Sequence, residues 1–255
     1  YAKGWNLSLA KSVYEANCDQ DQNDYESTPL GKEQKSFPYS LSQFIGKDYG
    51  KISSTPYGNT ILAELAEQAI INEKMGQDDI TDLLAVSFSS PDYIGHSFGP
   101  DSWETLDGYV KLDATLAKLF AVLDKQVGKN NYTVFLTADH AVAHIPGFSK
   151  KHHLPGGTVS EDQLKKDLTS FIASKGFDPK LISAIREYNV HFNAPLMESL
   201  GIERNKLVQL CRQFLEKNAE VIQVVDARNV AVASLPSELR ERIANGFNPQ
   251  RSGDL

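Results

Sequence analysis

The chain has 255 residues, a length that fits one large domain, or a domain with an added lobe, around a sizeable core. Its net charge of -7 excludes the basic footprint of a nucleic-acid binder and the Lys/Arg excess of a protein that docks on anionic membranes. No apolar run reaches the length of a membrane span, and the two cysteines, Cys18 and Cys211, make neither a disulfide framework nor a paired metal clip.

Residues 1–57 are rich in Asp, Gln, Asn, Ser, Gly and Pro, with a polar run from Asp19 to Glu26, and read as long loops with short helices. Asn59 or Thr60 is then placed to cap a helix carrying Ile61, Leu62, Leu65, Ala66, Ala69 and Ile70 on one face, with Gly76 ending it. Leu83–Phe88 is a nearly unbroken apolar run, as in a strand buried on both faces of a parallel sheet. A second helical pattern runs from Leu106 to Val127, with Gly128 after it, and Trp103 is expected to pack at its start. Tyr132–Leu136 reads as another buried strand. This alternation of helix and strand predicts an α/β fold, a mostly parallel sheet flanked by helices.

Beyond residue 146 the character changes. Ser160–Gln163 has the form of a capping box ahead of Leu164, Leu168, Phe171 and Ile172. Asp178-Pro179 can start a further helix. A short strand is expected within 187–194, a helix over Arg204–Lys217, a strand over Val221–Val225 and a short helix over Pro236–Ala244. The predicted organisation is an α/β core with an irregular N-terminal segment over 1–146, an inserted or appended mixed α/β lobe over 147–240, and a return toward the core over 241–255.

Ligands of parallel α/β sheets sit beyond the carboxyl ends of the strands. The first predicted strand leads into Asp92 and His96, and the second into Asp139 and His140. Parallel strands would bring both loops to one edge, and two carboxylates with two imidazoles suit zinc or a similar first-row metal. Pro91 and Gly95 favour a turn between Asp92 and His96. Neighbouring side chains of an extended strand point to opposite sides, so Asp139 and His140 need a bend to serve one ion or to flank it from two directions.

These residues carry a resemblance. Pro91-Asp92-Tyr93-Ile94-Gly95-His96-Ser97-Phe98-Gly99-Pro100 resembles the Pro-Asp-x-x-Gly-His-x-x-Gly-Pro loop of the nucleotide pyrophosphatase/phosphodiesterase branch of the alkaline phosphatase superfamily. Thr137-Ala138-Asp139-His140 resembles the second metal loop of that branch, with Ala141 where Gly is usual, and Ser54–Asn59 is similar as well. The resemblance implies an alkaline-phosphatase-like core and two zinc ions. Asp92 and His96 would bind one ion, with a second His from downstream. Asp139 and His140 would bind the other, with an Asp and a Thr or Ser nucleophile from upstream. It also implies small phosphate esters as substrates, a covalent phospho-enzyme and a periplasmic or secreted location. The upstream nucleophile and the last His have no counterpart in this chain, which starts Tyr1-Ala2-Lys3-Gly4, so a processed or excised piece is expected, inactive alone.

Blander readings stand beside these. His144 either completes a site or is a loop residue. Lys150-Lys151-His152-His153 reads as a solvated loop, and His191, in an apolar context, as a structural histidine. Ser53, Ser54 and Thr55 lack a neighbouring base and are not read as nucleophiles. The competing functions are a non-catalytic binding domain that keeps the fold, and a sulfatase or mutase relative.

Overall fold

A computed structural model describes residues 3–255. They fall into two compact units that divide between Gly157 and Thr158. The first holds helices α1 (Lys11–Asn17), α2 (Tyr57–Asn72), α3 (Ser90–Phe98), α4 (Trp103–Gln126) and α5 (Pro146–Lys151). The second holds α6 (Glu161–Ser174), β1 (Ile182–Arg186), β2 (Asn189–Phe192), α7 (Ala194–Ser199), α8 (Arg204–Leu215) and α9 (Ser237–Gly246).

Local signals account for most helix ends. The Ser102 hydroxyl accepts from the Thr105 amide at 3.1 Å and caps α4, and Gly128 follows that helix at φ +94. Trp103 packs at the helix start as expected, stacked on Tyr14, with its indole donating to the Asp19 carbonyl at 2.8 Å. In α2 the expected cap is wrong. The helix begins at Tyr57 after Pro56, so Asn59 lies inside the first turn and is buried. Ala66 and Ile70 pack against Leu119 of α4, whereas Ile61 and Leu65, on the expected apolar face, are 51% and 66% exposed.

The N-terminal segment is irregular, and it wraps an aromatic core. Trp5 pairs with Tyr39 in an antiparallel bridge, and these two join Leu30, Leu41, Ile94 and Phe98. Asp107 of α4 ties that segment down. Its carboxylate accepts from the Trp5 indole at 2.6 Å and from both the Tyr14 hydroxyl and the Ser8 amide at 2.7 Å.

The expected mostly parallel sheet is not formed by this chain alone. Among the described residues the only sheet is the antiparallel pair β1–β2 of the second unit. Residues 83–88 and 132–136 belong to no strand, and Leu83, Phe135 and Leu136 are 91%, 89% and 82% exposed. Val86 and Phe88 are partly covered, against Ala66, Ile70 and Leu119, and Tyr132 is half-buried with its hydroxyl donating to Asp124 at 2.8 Å. An apolar run supplies side chains for a sheet, but the ladder needs a neighbouring backbone, and among the described residues neither run is paired with one. Val221–Val225 likewise forms no strand: Val224 is buried and Ile222 fully exposed.

In the second unit the Ser160 hydroxyl caps α6 by accepting from the Gln163 amide at 3.2 Å, but the Gln163 side chain bonds Asp167, so only half of the capping box forms. Asp178-Pro179 starts a single 3-10 turn, Pro179–Leu181, which runs straight into β1 instead of a helix. The β1–β2 register pairs Ile182 with Phe192 and Arg186 with Asn189, and Glu187 and Tyr188 turn between them at φ 48 and 65. His191 sits half-buried in β2. Leu168, Ile172, Leu181, Leu207 and Cys211 form the centre of this core.

Candidate metal centre

Asp92-Tyr93-Ile94-Gly95-His96 is helical, and the turn expected there is not formed. Pro91 sits in the first turn of α3, where its missing N–H costs nothing, so it starts the helix and does not break it. Residues four apart share a helix face. Ile94 and Phe98 on the inner side plug into the aromatic core, and this fixes the rotation of α3. Gly108 of α4 allows the close approach: a Cβ there would lie 3.2 Å from the Ile94 side chain. Asp92 and His96 are thereby turned outward together, with the His96 Nε2 3.5 Å from the Asp92 Oδ1.

The second loop reaches the same place. The chain bends at Asp139, as adjacent ligand-type residues require, and the Asp139 carboxylate accepts from the His140 amide at 3.1 Å. The His140 Nε2 lies 3.7 Å from Asp92 Oδ1 and 3.7 Å from Asp139 Oδ2. Its Nδ1 is 2.9 Å from the Ala141 carbonyl, which can only accept, so the Nδ1 carries the proton and the Nε2 lone pair faces the carboxylates. The Ala141 carbonyl, then Asp139 and Asp92, raise the His140 pKa.

Asp92 is thus the hub, with both imidazoles on it, and Asp139 reaches it through His140. His96 and Asp139 are the outer members. The side chains of Asp92, His140, His96 and Asp139 are 46%, 58%, 77% and 89% exposed, so the group forms an open surface. A cavity of about 330 Å³ lined by Asn23, Asp24, Glu26, Ser27, Thr28, Lys32 and Lys35 includes none of them. Among the described residues no three His, Cys, Asp or Glu side chains close tightly enough to hold an ion by themselves. The donor chemistry nevertheless fits one. Two carboxylates and two imidazoles are the oxygen and nitrogen donors that zinc takes, and their 3.5–3.7 Å spacings are longer than a direct hydrogen bond.

The remaining candidates fall elsewhere. His144 pairs through Nδ1 with the Asp101 Oδ2 at 2.6 Å. Lys150 and Lys151 lie in the short helix α5, a correction to the expected loop, and Lys151 is bonded to Asp19 and Asn23. Thr55 is buried and donates to the Ile52 carbonyl. The roles of the Ala141 carbonyl and of Asp101 carry no sequence signal, because both depend on the path the second loop takes past α3.

The model of the family described as type I phosphodiesterase / nucleotide pyrophosphatase matches residues 8–255. The chain is 38% identical over 258 residues to the alkaline phosphatase PafA of Elizabethkingia meningoseptica, covering 100% of this chain and 46% of that protein. It is 37% identical over 255 residues to the alkaline phosphatase PhoV of Synechococcus elongatus, again with 100% and 46% covered. The structure superposes on the crystal structure of wild-type PafA with a TM-score of 0.92 at 37% identity, over 98% of this chain and 48% of that one. The chain spans about half the length of the curated relatives it matches, and its fold is that of PafA over the matched part. It belongs to the type I phosphodiesterase / nucleotide pyrophosphatase family of the alkaline phosphatase superfamily.

Proposed function

We propose that this chain supplies one face of a two-metal site for phosphate-ester hydrolysis, with zinc as the metal, within a longer enzyme. Asp92 and His96 would hold one ion, and Asp139 and His140 the other. The observation that carries the reading is the placement of one carboxylate, Asp92, within 3.5 and 3.7 Å of imidazoles from two different loops.

Bound there, two ions would polarise the phosphoryl oxygens and steady the attacking and leaving oxygens of an in-line displacement. The chain's own contribution is positional. Helix α3, locked by Ile94 and Phe98, presents Asp92 and His96 as a rigid pair. The Ala141 carbonyl holds the Nδ1 proton of His140 and leaves its Nε2 free, the usual support of a metal-bound histidine. On this reading the attacking hydroxyl and the remaining ligands come from the part of the enzyme outside this chain, and the periplasmic or secreted location implied by the resemblance belongs to the same proposal. The apolar runs 83–88 and 132–136 support it too. So much exposed apolar surface beside a site is the mark of a face covered by more protein, and we read the two runs as strands of a mostly parallel sheet completed there.

Zinc uptake by the longer enzyme tests the reading. Dialysis against Zn2+ followed by elemental analysis should show bound metal, and Asp92→Ala or His140→Ala should lower it. In the longer enzyme either change should lower hydrolysis of p-nitrophenyl phosphate and of its diester by more than about 100-fold, beyond the effect of an outer-shell loss. Unchanged metal content in Asp92→Ala would overturn the assignment.

A further inference from the structure

The segment that carries Asp139 and His140 continues along α3 for several residues. Val142 lies 3.9 Å from where a Cβ on Gly95 would sit, and Ile145 lies 3.4 Å from the corresponding point on Gly99. Between these two contacts the His144 Nδ1 meets the Asp101 Oδ2 at 2.6 Å. A carboxylate only accepts, so Nδ1 donates.

Both partners are held from behind. Asp101 directly precedes Ser102, the cap of α4, and its carbonyl accepts from the Asp19 amide at 3.0 Å. The His144 ring stacks on Phe148 of α5 at 4.5 Å and 15°, and Phe148 in turn stacks on His152 at 4.1 Å. The side chains of His144 and Asp101 are 46% and 33% exposed, and an ion pair so open to water adds little to stability. Its value lies in placement. Residue 144 is four positions beyond His140, and four extended residues can reach about 13 Å, far more slack than the ~0.2 Å tolerance of a metal ligand.

We propose that Asp101 and His144 form a fastener that pins residues 139–145 against α3 and so sets the distance of Asp139 and His140 from Asp92 and His96. They are positioning residues and touch neither metal nor substrate. The proposal rests on the metal-site reading above, and its test separates the two.

The probe is Co2+, titrated by visible absorbance into the longer enzyme that carries this chain and into its variants. His144→Ala should raise the Co2+ dissociation constant about tenfold, the scale of an outer-shell loss, and shift the ligand-field bands. Asp101→Ala should do the same, and the double variant should be no worse than either single one. His144→Asn, whose amide can stand where Nδ1 stood and donate to Asp101, should recover most of the affinity. Metal-free melting should barely move in any of them.

Wild-type affinity and spectrum in His144→Ala would overturn the fastener, and so would His144→Asn binding as poorly as His144→Ala, or losses that add in the double variant. Wild-type enzyme that takes up no Co2+, or Asp92→Ala that binds it normally, would refute the metal-site reading instead. In that case amide exchange of residues 138–145 in metal-free protein decides the fastener. Faster exchange in His144→Ala supports it, and unchanged exchange overturns it.

Discussion

Two carboxylates on α4, Asp107 and Glu104, are both withdrawn from water, yet their surroundings differ. Asp107 receives three donors from the N-terminal segment and lies 3.5 Å from the Lys111 ammonium, so its charge is compensated. Replacing it with Ala would leave the Trp5 indole, the Tyr14 hydroxyl and the Ser8 amide without their acceptor. Asp107→Ala should therefore lower unfolding free energy by about 3 kcal/mol, read from urea midpoints, whereas Tyr14→Phe should cost about 1 kcal/mol. Near-equal losses would contradict the hub. Glu104 is the opposite case. Tyr39 donates to its Oε1, while its Oε2 finds no partner among the described residues. Burial, followed by the charges of Glu26 and Asp21, pushes its pKa up to about 8 despite the Tyr39 bond. The sign follows from linkage. A carboxyl raised in the folded state stabilises fully below its unfolded value of about 4.3, and that stabilisation is lost as pH rises through the folded value. Burial also lifts Glu26, to about 7, so both act over the same window. Stability of the wild-type chain should fall from about pH 5 to pH 8, and Glu104→Gln, which is neutral throughout, should flatten the fall by up to ~1.4 kcal/mol per pH unit. Parallel curves for the two proteins would count against a buried, protonated Glu104.

At the scale of elements, what the sequence discloses depends on whether the determinants are local. Helix α4 is legible from its apolar spacing and from Gly128 just beyond its end, both local signals, whereas its Ser102 cap sets a start a turn earlier than the spacing shows. Local signals also make α8 and α9 legible. Helix α3 is misread as a turn because Pro and Gly count against helix in general. At the first turn Pro91 is favourable, and Gly95 is tolerated on the buried side, where Val142 packs. The four candidate site residues are legible by type, each just beyond an apolar run, but their convergence on Asp92 is a tertiary fact. The β1–β2 hairpin escapes because Glu187-Tyr188 lacks the Asn-Gly signal, although both residues adopt positive φ. Replacing the pair with Asn-Gly should raise unfolding free energy by about 1 kcal/mol, since non-glycine residues are strained there and Tyr188, 90% exposed, contributes little packing. The runs 83–88 and 132–136 form no strand in this chain for the converse reason. Their composition is that of strands, but a ladder is not a property of one segment. Phe135→Lys with Leu136→Ser should raise the solubility limit of the purified chain and reduce binding of a hydrophobic dye, with no loss of melting temperature. A large drop in melting temperature would show that these side chains are already packed.

For the whole chain, the division after Gly157 has an energetic counterpart, because every member of the second unit's core comes from that unit. Leu168 and Ile172 of α6 and Leu207 and Cys211 of α8 enclose β1 and β2, and Leu255 closes the cluster. Backbone bonds from the Val190 amide to the Leu255 carbonyl at 2.9 Å, and from the Asp254 amide to the Val190 carbonyl at 2.7 Å, lay the last residues alongside β2. Arg204 joins the same corner, bonding Asp226 at 2.7 and 3.1 Å and Asp254 at 3.0 Å. A core assembled within one stretch of about 100 residues has the size of an independent domain. Residues 158–255 expressed alone should accordingly give one cooperative denaturant transition. Deleting Gly253–Leu255 should abolish it, because this removes the backbone pairing to Val190 and one of the two carboxylates that neutralise Arg204. Arg204→Ala should cost about 3 kcal/mol by leaving Asp226 uncompensated and Asp254 with only the Arg228 guanidinium at 3.7 Å, whereas Arg204→Ala combined with Asp226→Asn should cost less than the sum of the two single changes. A broad, non-cooperative transition in the isolated segment would contradict a self-contained core.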